Sequence, residues 1–352
     1  MSSYYDWGDT LSRDADVNII IGARGVGKTY GLREQCIRDW KKDGSRFVEV
    51  CRYKDELADV SNGYFEKLEL NGVAPELMFK TDKARAYVAK RPKGKDKPEW
   101  HTIGYFVALT QMQRSKKKTY VKVKRIIMDE AVLDRRDRFH RYLPSEYSLL
   151  ANVVDSCTRE NPNNEETVRP HVYLLGNACD LTNPYFIRYK IRRMPKFGKS
   201  WHDRKTCLLD YIDPGDYAEE KINDTLAGRM VRGTLDEAMI AYNEFAGKDD
   251  DTIGKKTKDA KHLFTLVYDK QRIAVWVSTA QGYYFVSRRE PKGDAPVYSL
   301  TTRDNEANYI TLKRCDNVMR TLVDAIYLGI VKFEDHDVKR ACIDALAAFG
   351  LR

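Results

Sequence analysis

The sequence predicts an α/β protein with a mostly parallel sheet in its first part, followed by a second domain of antiparallel strands. Over the first two hundred residues, short apolar runs typical of buried strands alternate with segments typical of helices, which is the pattern of an α/β sheet. A glycine-rich segment joins the first of these strands to the first helix. After about residue 200 the chain becomes polar, and two runs of alternating apolar and polar residues then predict antiparallel strands.

The elements of the first part follow from hydrophobic patterns and start signals. The run at 17–23 is continuously apolar and predicts a buried parallel strand, and the residues from 28 to 40 predict the helix that follows it. Pro144 and Ser145 mark the start of another helix. The remaining strands are predicted at 46–53, on both sides of a Lys/Gly/Pro turn at 92–98, at 120–130 and at 168–178, and the last forty residues favour helix.

Length and composition set the class of protein. The chain has 352 residues, which is too long for one small core and predicts two or three domains. It contains no apolar run near the ~18 residues of a membrane span, and the N-terminal MSSYYDWGDT has none of the features of a signal peptide. Seven cysteines without a C-x-x-C pair argue against a disulfide framework or a zinc site. We therefore expect a protein that stays in the cytoplasm, with no membrane partner.

Positive charge is concentrated in two segments. The formal net charge is +9, and residues 80–125 hold fifteen Lys and Arg against three acids, while residues 188–205 hold eight against one. This uneven distribution favours a polyanionic partner. The run of basic residues within the first segment is a candidate to line a pore or to reach a neighbouring subunit, and the competing interpretation is a solvated loop; it comprises Arg114, Lys116, Lys117 and Lys118.

The glycine-rich segment matches G-x-x-x-x-G-K-[ST], the phosphate-binding loop. Its glycines let backbone N–H groups turn toward phosphates, Lys28 reaches the β- and γ-phosphates, and Thr29 supplies a hydroxyl to Mg²⁺. The position after an apolar strand and before a helix is the one that this mechanism requires. The sequence therefore predicts a nucleotide site for ATP and Mg²⁺ at Gly22, Ala23, Arg24, Gly25, Val26, Gly27, Lys28 and Thr29.

Polar residues at two later strand ends complete the predicted site. Asp129 and Glu130 follow a buried strand, where Asp129 is expected to hold Mg²⁺ and Glu130 to polarise the attacking water. Asn177 follows the next strand and is a candidate to sense the γ-phosphate. The stretch from Asn177 to Asp180 also approaches the guanine-recognition pattern N-K-x-D. Alanine in place of its lysine, and D-E-A-V in place of D-x-x-G, weigh against this GTPase alternative.

Several segments together resemble the DNA-packaging ATPases of φ29-like podophages, relatives of large terminase subunits. The matching segments appear in the family's order as IGARGVGKTYG, RYKDELADVSNGYF, IIMDEAV, YLPSE, LLGNA, NPYF, LVYD, AVWV and VYSLTT. The resemblance implies an additional-strand (ASCE) P-loop ATPase domain at 1–198, a linker domain at 199–229 and a ribonuclease-H-like domain at 230–352. It also implies a ring of identical subunits, a pentamer, at the portal vertex of a prohead.

The same resemblance implies the reaction and its further residues. The reaction is ATP hydrolysis coupled to translocation of double-stranded DNA, in the cytoplasm of the infected host and transiently on the prohead, with the portal or connector as partner and with or without an RNA adaptor. Arg159 falls where the family places a trans-acting arginine, although the following ENPNNEETVRP is longer here. Arg52, Lys54 and Lys116 match further trans-acting or DNA-contact positions.

Other functions share parts of this pattern. A helicase or another phage-assembly ATPase has the same loop and acids, and a non-hydrolysing ATP-binding scaffold needs only the loop. In the C-terminal domain, Asp269, Asp335 and Asp337 do not make a convincing set of metal ligands for a two-metal nuclease. We therefore expect a nuclease-shaped domain without cleavage activity.

Overall fold

The computed structural model divides the chain into two compact units. The first comprises Met1–Asp180, Arg188–Lys190 and Pro195–Ala246, and the second comprises Leu181–Ile187, Ile191–Met194 and Gly247–Arg352. The residues that the structure describes are 4–92, 96–112, 119–134, 141–158, 168–191, 195–245, 251–291, 293–311 and 316–348.

The first part of the chain alternates strands and helices. Its strands are β1 Val17–Ile21, β2 Arg46–Cys51, β3 Leu77–Asp82, β4 Arg85–Lys90, β5 His101–Ala108, β6 Val123–Val132, β7 His171–Gly176, β8 Gly198–His202 and β9 Cys207–Tyr211. Its helices are α1 Trp7–Ser12, α2 Lys28–Asp43, α3 Glu56–Ser61, α4 Glu66–Leu70, α5 Leu109–Met112, α6 Glu146–Thr158, α7 Pro184–Arg188, α8 Asp216–Asp224, α9 Leu226–Val231 and α10 Leu235–Ile240.

The described strands of the first unit form one sheet in the order β3-β4-β5-β2-β6-β7-β1-β9-β8. The six central strands, from β5 to β9 in this order, are parallel to one another, and the antiparallel strands lie at the two edges. All five residues of β1 are buried, as expected for a parallel strand covered on both faces. The predicted, mostly parallel α/β sheet is confirmed, and the carboxyl ends of its six central strands meet at one edge.

The core between this sheet and the helices on one of its faces is rich in aromatic rings. Phe47 on β2 stacks on Tyr64 with ring centroids 5.1 Å apart, and Phe106 on β5 meets the same tyrosine edge to face at 5.2 Å. Phe47 lies directly opposite Gly104 in the β2–β5 register. A Cβ atom at residue 104 would collide with the Phe47 ring, so glycine here makes room for the aromatic cluster.

The second unit has its own sheet and its own core. Its strands are β10 Lys261–Tyr268, β11 Gln271–Ser278, β12 Tyr283–Ser287, β13 Val297–Ser299, β14 Ile310–Thr311 and β15 Val331–Phe333, with helices α11 Asp316–Tyr327 and α12 His336–Ala348. The described order is β14-β13-β10-β11-β12-β15, in which β10, β11 and β12 form the predicted antiparallel set. The helices contribute Met319, Leu322 and Cys342 to a core shared with these strands.

The units do not divide at the boundaries expected from the sequence. The expected boundary after residue 198 falls at the start of β8, and both β8 and β9 belong to the sheet of the first unit. The expected linker at 199–229 contains most of β8, all of β9 and α8, and most of α9, which the structure groups with the first unit. The observed division lies between residues 246 and 247. The strand GKSWH is polar and three of its five residues are exposed, so it carries little hydrophobic signal in the sequence.

The acidic residues of the C-terminal unit have local structural roles. Asp269 lies in the tight turn between β10 and β11 with a left-handed φ of 47°. Asp335 accepts a hydrogen bond from the backbone N–H of Val338 at 2.8 Å, at the start of α12. Within the described part of the chain, no group of three or more His, Cys, Asp or Glu is arranged to hold a metal ion, and no helix there is long and apolar enough to cross a membrane.

Replacing Gly104 by alanine tests the aromatic core. Alanine is normally better than glycine in a strand, but here the new methyl collides with the Phe47 ring, so we expect a net loss of about 1–3 kcal/mol in the free energy of unfolding. Urea unfolding, monitored by tryptophan fluorescence, measures this loss, because four of the five tryptophans lie in the first unit. Gly293→Ala is the control, since nothing lies within 4 Å of its Cβ position. Equal midpoints for the two variants would contradict this account.

Candidate nucleotide site

A glycine turn joins β1 to α2 at the carboxyl edge of the sheet. Gly25 and Gly27 have φ angles of 92° and 88°, in the left-handed region that favours glycine, and Gly27 is the N-cap of α2. A Cβ on Gly22 would lie 2.6 Å from the Cδ1 atom of Ile212. The backbone N–H of Gly22 donates to the Gly176 carbonyl at 3.1 Å, which ties the loop to the end of β7. The loop therefore has the strand, glycine turn and helix N-terminus of an anion site.

Lys28 is buried within this loop, with 8% of its surface exposed. Its Nζ donates to the carbonyl oxygens of Gly22 at 2.7 Å and Ala23 at 3.0 Å, and to Oδ1 of Asn177 at 3.3 Å. Burial lowers the pKa of this ammonium to about 8, and the nearby Asp129 opposes the shift. The hydrogen-bond partners of Nζ are neutral oxygens, so its charge is available to a phosphate.

Thr29 and Asp129 are in contact, as the metal-site prediction requires. The Thr29 hydroxyl donates to Oδ2 of Asp129 at 2.8 Å. Thr29 lies in the first turn of α2 and Asp129 on β6, and β7 separates β6 from β1 in the sheet. One strand between the loop strand and the acidic strand is the arrangement of the additional-strand class. Asn177 follows that intervening strand, so all three predicted strand ends meet at one place.

Glu130 lies in a bulge of β6. The β6–β7 register passes from Met128 opposite Leu174 to Val132 opposite Gly176, so β6 has two extra residues here. Glu130 itself has a left-handed φ of 51° and an exposed side chain. Such a backbone conformation is strained for a residue with a Cβ and needs support from its surroundings. The bulge turns the Glu130 side chain away from the regular strand direction.

Arg52 supplies that support. Its Nη1 donates to the Glu130 carbonyl at 2.8 Å and its Nη2 to the Ala131 carbonyl at 2.6 Å. The same guanidinium pairs with Glu146, 2.9 Å from Nη2 to Oε1, and both side chains are buried, at 4% and 0% exposed. A fixed fork of N–H donors suits this combination of two carbonyls and one carboxylate.

Arg52 was expected to contact DNA or a neighbouring subunit, but the structure has its side chain 4% exposed and bound within its own chain. Its guanidinium is enclosed by Glu130, Ala131 and Glu146, and no charged surface remains for a partner. Sequence reasoning missed its role because Glu146 lies 94 residues away along the chain. Lys54, two residues later, is exposed, and its contact with DNA or a neighbouring subunit stays a prediction. Arg159, Lys116, Lys117 and Lys118 lie outside the described residues.

Residues from the region expected to be a linker also reach the loop. On α8, the Tyr217 hydroxyl donates to the Arg24 carbonyl at 3.0 Å, and the Lys221 ammonium donates to the same oxygen. Burial and the charge of Arg24 lower the pKa of Lys221 to about 8. In the sequence, Tyr217 and Lys221 are linked only by their i,i+4 spacing. That spacing does not show which part of the protein their shared helix face contacts.

A cleft of about 1030 Å³ lies beside the loop and the first turns of α2. The N-terminal segment lines one side of it, with the backbone N–H of Tyr5 donating to the Val26 carbonyl at 2.9 Å. Thr29, Arg33 and Tyr64 line other parts. Its volume is at the upper end of the range of small-molecule sites.

Together, the loop, the Thr29–Asp129 contact and the strand order define a P-loop fold of the additional-strand class. The model of the family described as Podovirus DNA encapsidation protein (Gp16) matches residues 1–347, and the chain belongs to this family.

Known relatives match along nearly the whole chain. The DNA packaging proteins of Bacillus phage PZA and Bacillus phage phi29 are 32% and 31% identical over 340 residues, which cover 96% of this chain and 95% of each relative. A chain in a structure titled as the bacteriophage Phi-29 viral genome packaging motor assembly matches with a TM-score of 0.66 and 27% identity, covering 99% of this chain and all of that one. The resemblance noted from the sequence is thus confirmed.

Breaking the Arg52–Glu146 pair should destabilise the first unit. Arg52→Met leaves a buried carboxylate without its ionic partner, which typically costs about 3–5 kcal/mol, and adding Glu146→Gln should recover part of this loss. Urea unfolding of the single and double variants measures the coupling. Lys41→Met is the control, because Lys41 and its partner Glu76 are about half exposed, and it should leave the midpoint nearly unchanged. An Arg52→Met variant as stable as that control would remove Arg52 from the support of the bulge.

Proposed function

We propose that this protein is an ATP-hydrolysing motor that moves double-stranded viral DNA into a prohead through the portal vertex. The observation that carries the proposal is the contact between Thr29 and Asp129, 2.8 Å apart, beside the buried Lys28. It unites the loop and the acidic strand end in a chain that belongs to a DNA encapsidation family. The acidic strand end would serve both steps, with Asp129 holding the Mg²⁺ of the bound nucleotide and Glu130 acting on the attacking water.

The phosphate-binding part of the mechanism rests on the loop. Its backbone N–H groups and the N-terminus of α2 attract the phosphates, and the Lys28 ammonium exchanges carbonyl partners for phosphate oxygens. Thr29 and Asp129 offer a hydroxyl and a carboxylate, the hard oxygen donors that suit Mg²⁺. When bound, Mg²⁺ neutralises charge on the terminal phosphates. We therefore propose that these two side chains hold it, Asp129 through water.

The hydrolytic part rests on Glu130 and Asn177. Glu130 is exposed on a bulge whose backbone is held by Arg52, and we propose that its carboxylate orients and polarises the attacking water. Asn177 contacts the Lys28 ammonium at 3.3 Å. When that lysine moves to a phosphate, Asn177 loses a partner at the end of β7, which links the state of the nucleotide to the sheet.

The proposed DNA contacts rest on charge. Lys and Arg contacts to phosphates hold a duplex without reading its sequence, and they weaken steeply with salt. Part of the basic segment forms the β3–β4 hairpin, where Lys80, Lys83 and Arg85 are exposed. We propose that this hairpin, Lys54 and the run Lys116, Lys117 and Lys118 face DNA or a neighbouring subunit.

The proposed assembly is a homo-oligomeric ring, a pentamer, on the portal or connector, with or without an RNA adaptor. The related chain from a packaging motor assembly supports it. The ring would form in the cytoplasm of the infected host and remain on the prohead while DNA enters.

Replacing Glu130 by glutamine separates binding from hydrolysis. Lys28 and Thr29 are unchanged, so ATP affinity should stay within about twofold, while DNA-stimulated turnover should fall at least about a hundredfold because the water is no longer polarised. Nucleotide titration and phosphate release measure the two effects, and packaging of DNA into purified proheads with ATP tests the whole function. Glu76→Gln is the carboxylate control, because Glu76 is half exposed and pairs with Lys41 at the surface, and it should keep turnover. Near-normal turnover of Glu130→Gln would remove this glutamate from the mechanism.

Mixing two inactive variants tests the ring and the trans-acting arginine. We propose that Arg159 supplies positive charge to the active site of a neighbouring subunit. Arg159→Ala and Glu130→Gln should each be inactive alone, but in equal mixtures up to about a quarter of the interfaces pair an intact site with an intact arginine. Turnover should then partly return. Mixed assembly confirmed by differently tagged subunits, without recovered turnover, would count against Arg159.

A further inference from the structure

Helix α8 holds two side chains against the tip of the phosphate-binding loop. Tyr217 and Lys221 are four residues apart, so they share one face of the helix, and the Lys221 Nζ lies 5.5 Å from the centre of the Tyr217 ring. Both donate to the Arg24 carbonyl. A Cβ on Gly25 would lie 2.5 Å from the Tyr217 hydroxyl and 3.8 Å from the Lys221 Nζ. The helix thus lies directly over the loop.

Three cations converge at this end of the loop. Lys221 lies close enough to Lys28 and Arg24 for each to act on its neighbours, and burial together with this repulsion lowers the pKa of both lysines to about 8. Asp129 attracts Lys28, but the hydrogen bond of the Lys221 ammonium goes to a neutral carbonyl. Desolvated like charges held together are unfavourable unless an anion joins them. The arrangement therefore suits a ligand with more negative charge than Asp129 alone supplies.

We infer that Lys221 is a second phosphate-binding lysine of the site, which contacts the terminal phosphate of a nucleoside triphosphate within the same subunit. This inference rests on the proposed ATPase function and assigns a ligand contact to α8. The loop N–H groups nearest α2 hold the inner phosphates, whereas Lys28 reaches the outer ones. Lys221 contacts the loop at Arg24, a residue that lies three positions before the N-cap Gly27. Its charge also acts on Lys28. It therefore faces the outer end of the phosphate chain.

The contact makes α8 respond to the number of phosphates. With a triphosphate, Lys221 exchanges the Arg24 carbonyl for a phosphate oxygen, while Tyr217 keeps its hydrogen bond to the loop. With a diphosphate, Lys221 stays on the carbonyl. Helix α9 follows α8 directly, with the side chain of Arg229 donating to the Asn223 carbonyl at 3.0 Å. A movement of Lys221 would therefore displace α8 together with α9.

Nucleotide titrations of Lys221→Met test the inference. The probes are the non-hydrolysable β,γ-imido analogue of ATP, and ADP, each displacing a fluorescent nucleotide from the full chain with Mg²⁺. Because the lost cation contacts only the outermost phosphate, we expect about tenfold weaker binding of the triphosphate analogue, with ADP changed by less than about twofold. Lys221→Arg keeps the charge and should restore most of the difference. Tyr217→Phe removes only the hydroxyl and should keep the preference for triphosphate.

The controls separate a ligand contact from a structural role. Arg229→Met removes a cation from the same helix pair and should alter neither affinity. Equal weakening for both nucleotides in Lys221→Met would mean that Lys221 only supports the loop, and unchanged affinities would mean that it lies outside the site; either result overturns the inference. Should Lys221→Met not fold, Lys221→Gln is measured in the same way. Failure of the proposed function appears separately, as absence of ATP hydrolysis by the unaltered chain while the two nucleotides still bind.

Discussion

The geometry of the site depends on the buried guanidinium of Arg52. It joins three parts of the first unit: the end of β2, the bulge of β6 at Glu130 and Ala131, and the start of α6 at Glu146. A left-handed glutamate in a strand is unfavourable by itself, on the order of 1–3 kcal/mol. Arg52 offsets that cost because its charged N–H groups donate hydrogen bonds to the carbonyl oxygens of Glu130 and Ala131. Glu146 in turn offsets the free-energy cost of burying the charge of Arg52. Arg52, Glu146 and the β6 bulge each depend on the other two, so removing any one of them should disturb the whole arrangement.

The sheet brings the residues of the site together. Because β1, β7 and β6 are parallel neighbours, their carboxyl ends deliver the loop, Asn177 and Asp129 to one edge. The register of the strands sets how far each residue projects, and the extra residues in β6 carry Glu130 beyond Asp129. The hydrogen bond from Gly22 to Gly176 fixes the loop against β7. Position along the strands thus brings these residues to one place, and the contacts of Thr29 with Asp129 and of Lys28 with Asn177 join them there.

The parts that were predictable from the sequence are those encoded over short distances. The apolar run of β1, the glycines of the loop and the acids after β6 are all local patterns, and the structure has the corresponding strands and helix. The sequence predicts a single strand before the turn at 92–98, but the structure has a hairpin there, which turns at Lys83 with a left-handed φ of 54°. For Arg52 the sequence indicated a contact with DNA or a neighbouring subunit, because charge alone does not reveal a partner 94 residues away.

The linking region illustrates the same limit. Tyr217 reaches Arg24 across 193 residues, and a polar helix gives no indication of which surface it covers. The strands β8 and β9 were missed as part of the first unit for a related reason. β9 is fully buried beside β1, but its five residues are flanked by polar turns, and only pairing with β1 defines their role.

The carbonyl partners of Lys28 have a consequence for the release of nucleotide in the proposed ATPase. The ammonium donates to Gly22 and Ala23 within its own loop, so a departing phosphate is replaced at once by oxygen atoms already in place. Leaving a buried charge without hydrogen bonds would be costly, and the loop avoids that cost by closing on its own lysine. In many enzymes product release limits the turnover rate. In the ATPase that we propose, a loop that satisfies its lysine in this way would favour release of ADP over tight binding of nucleotide in the ground state, and so would suit repeated turnover.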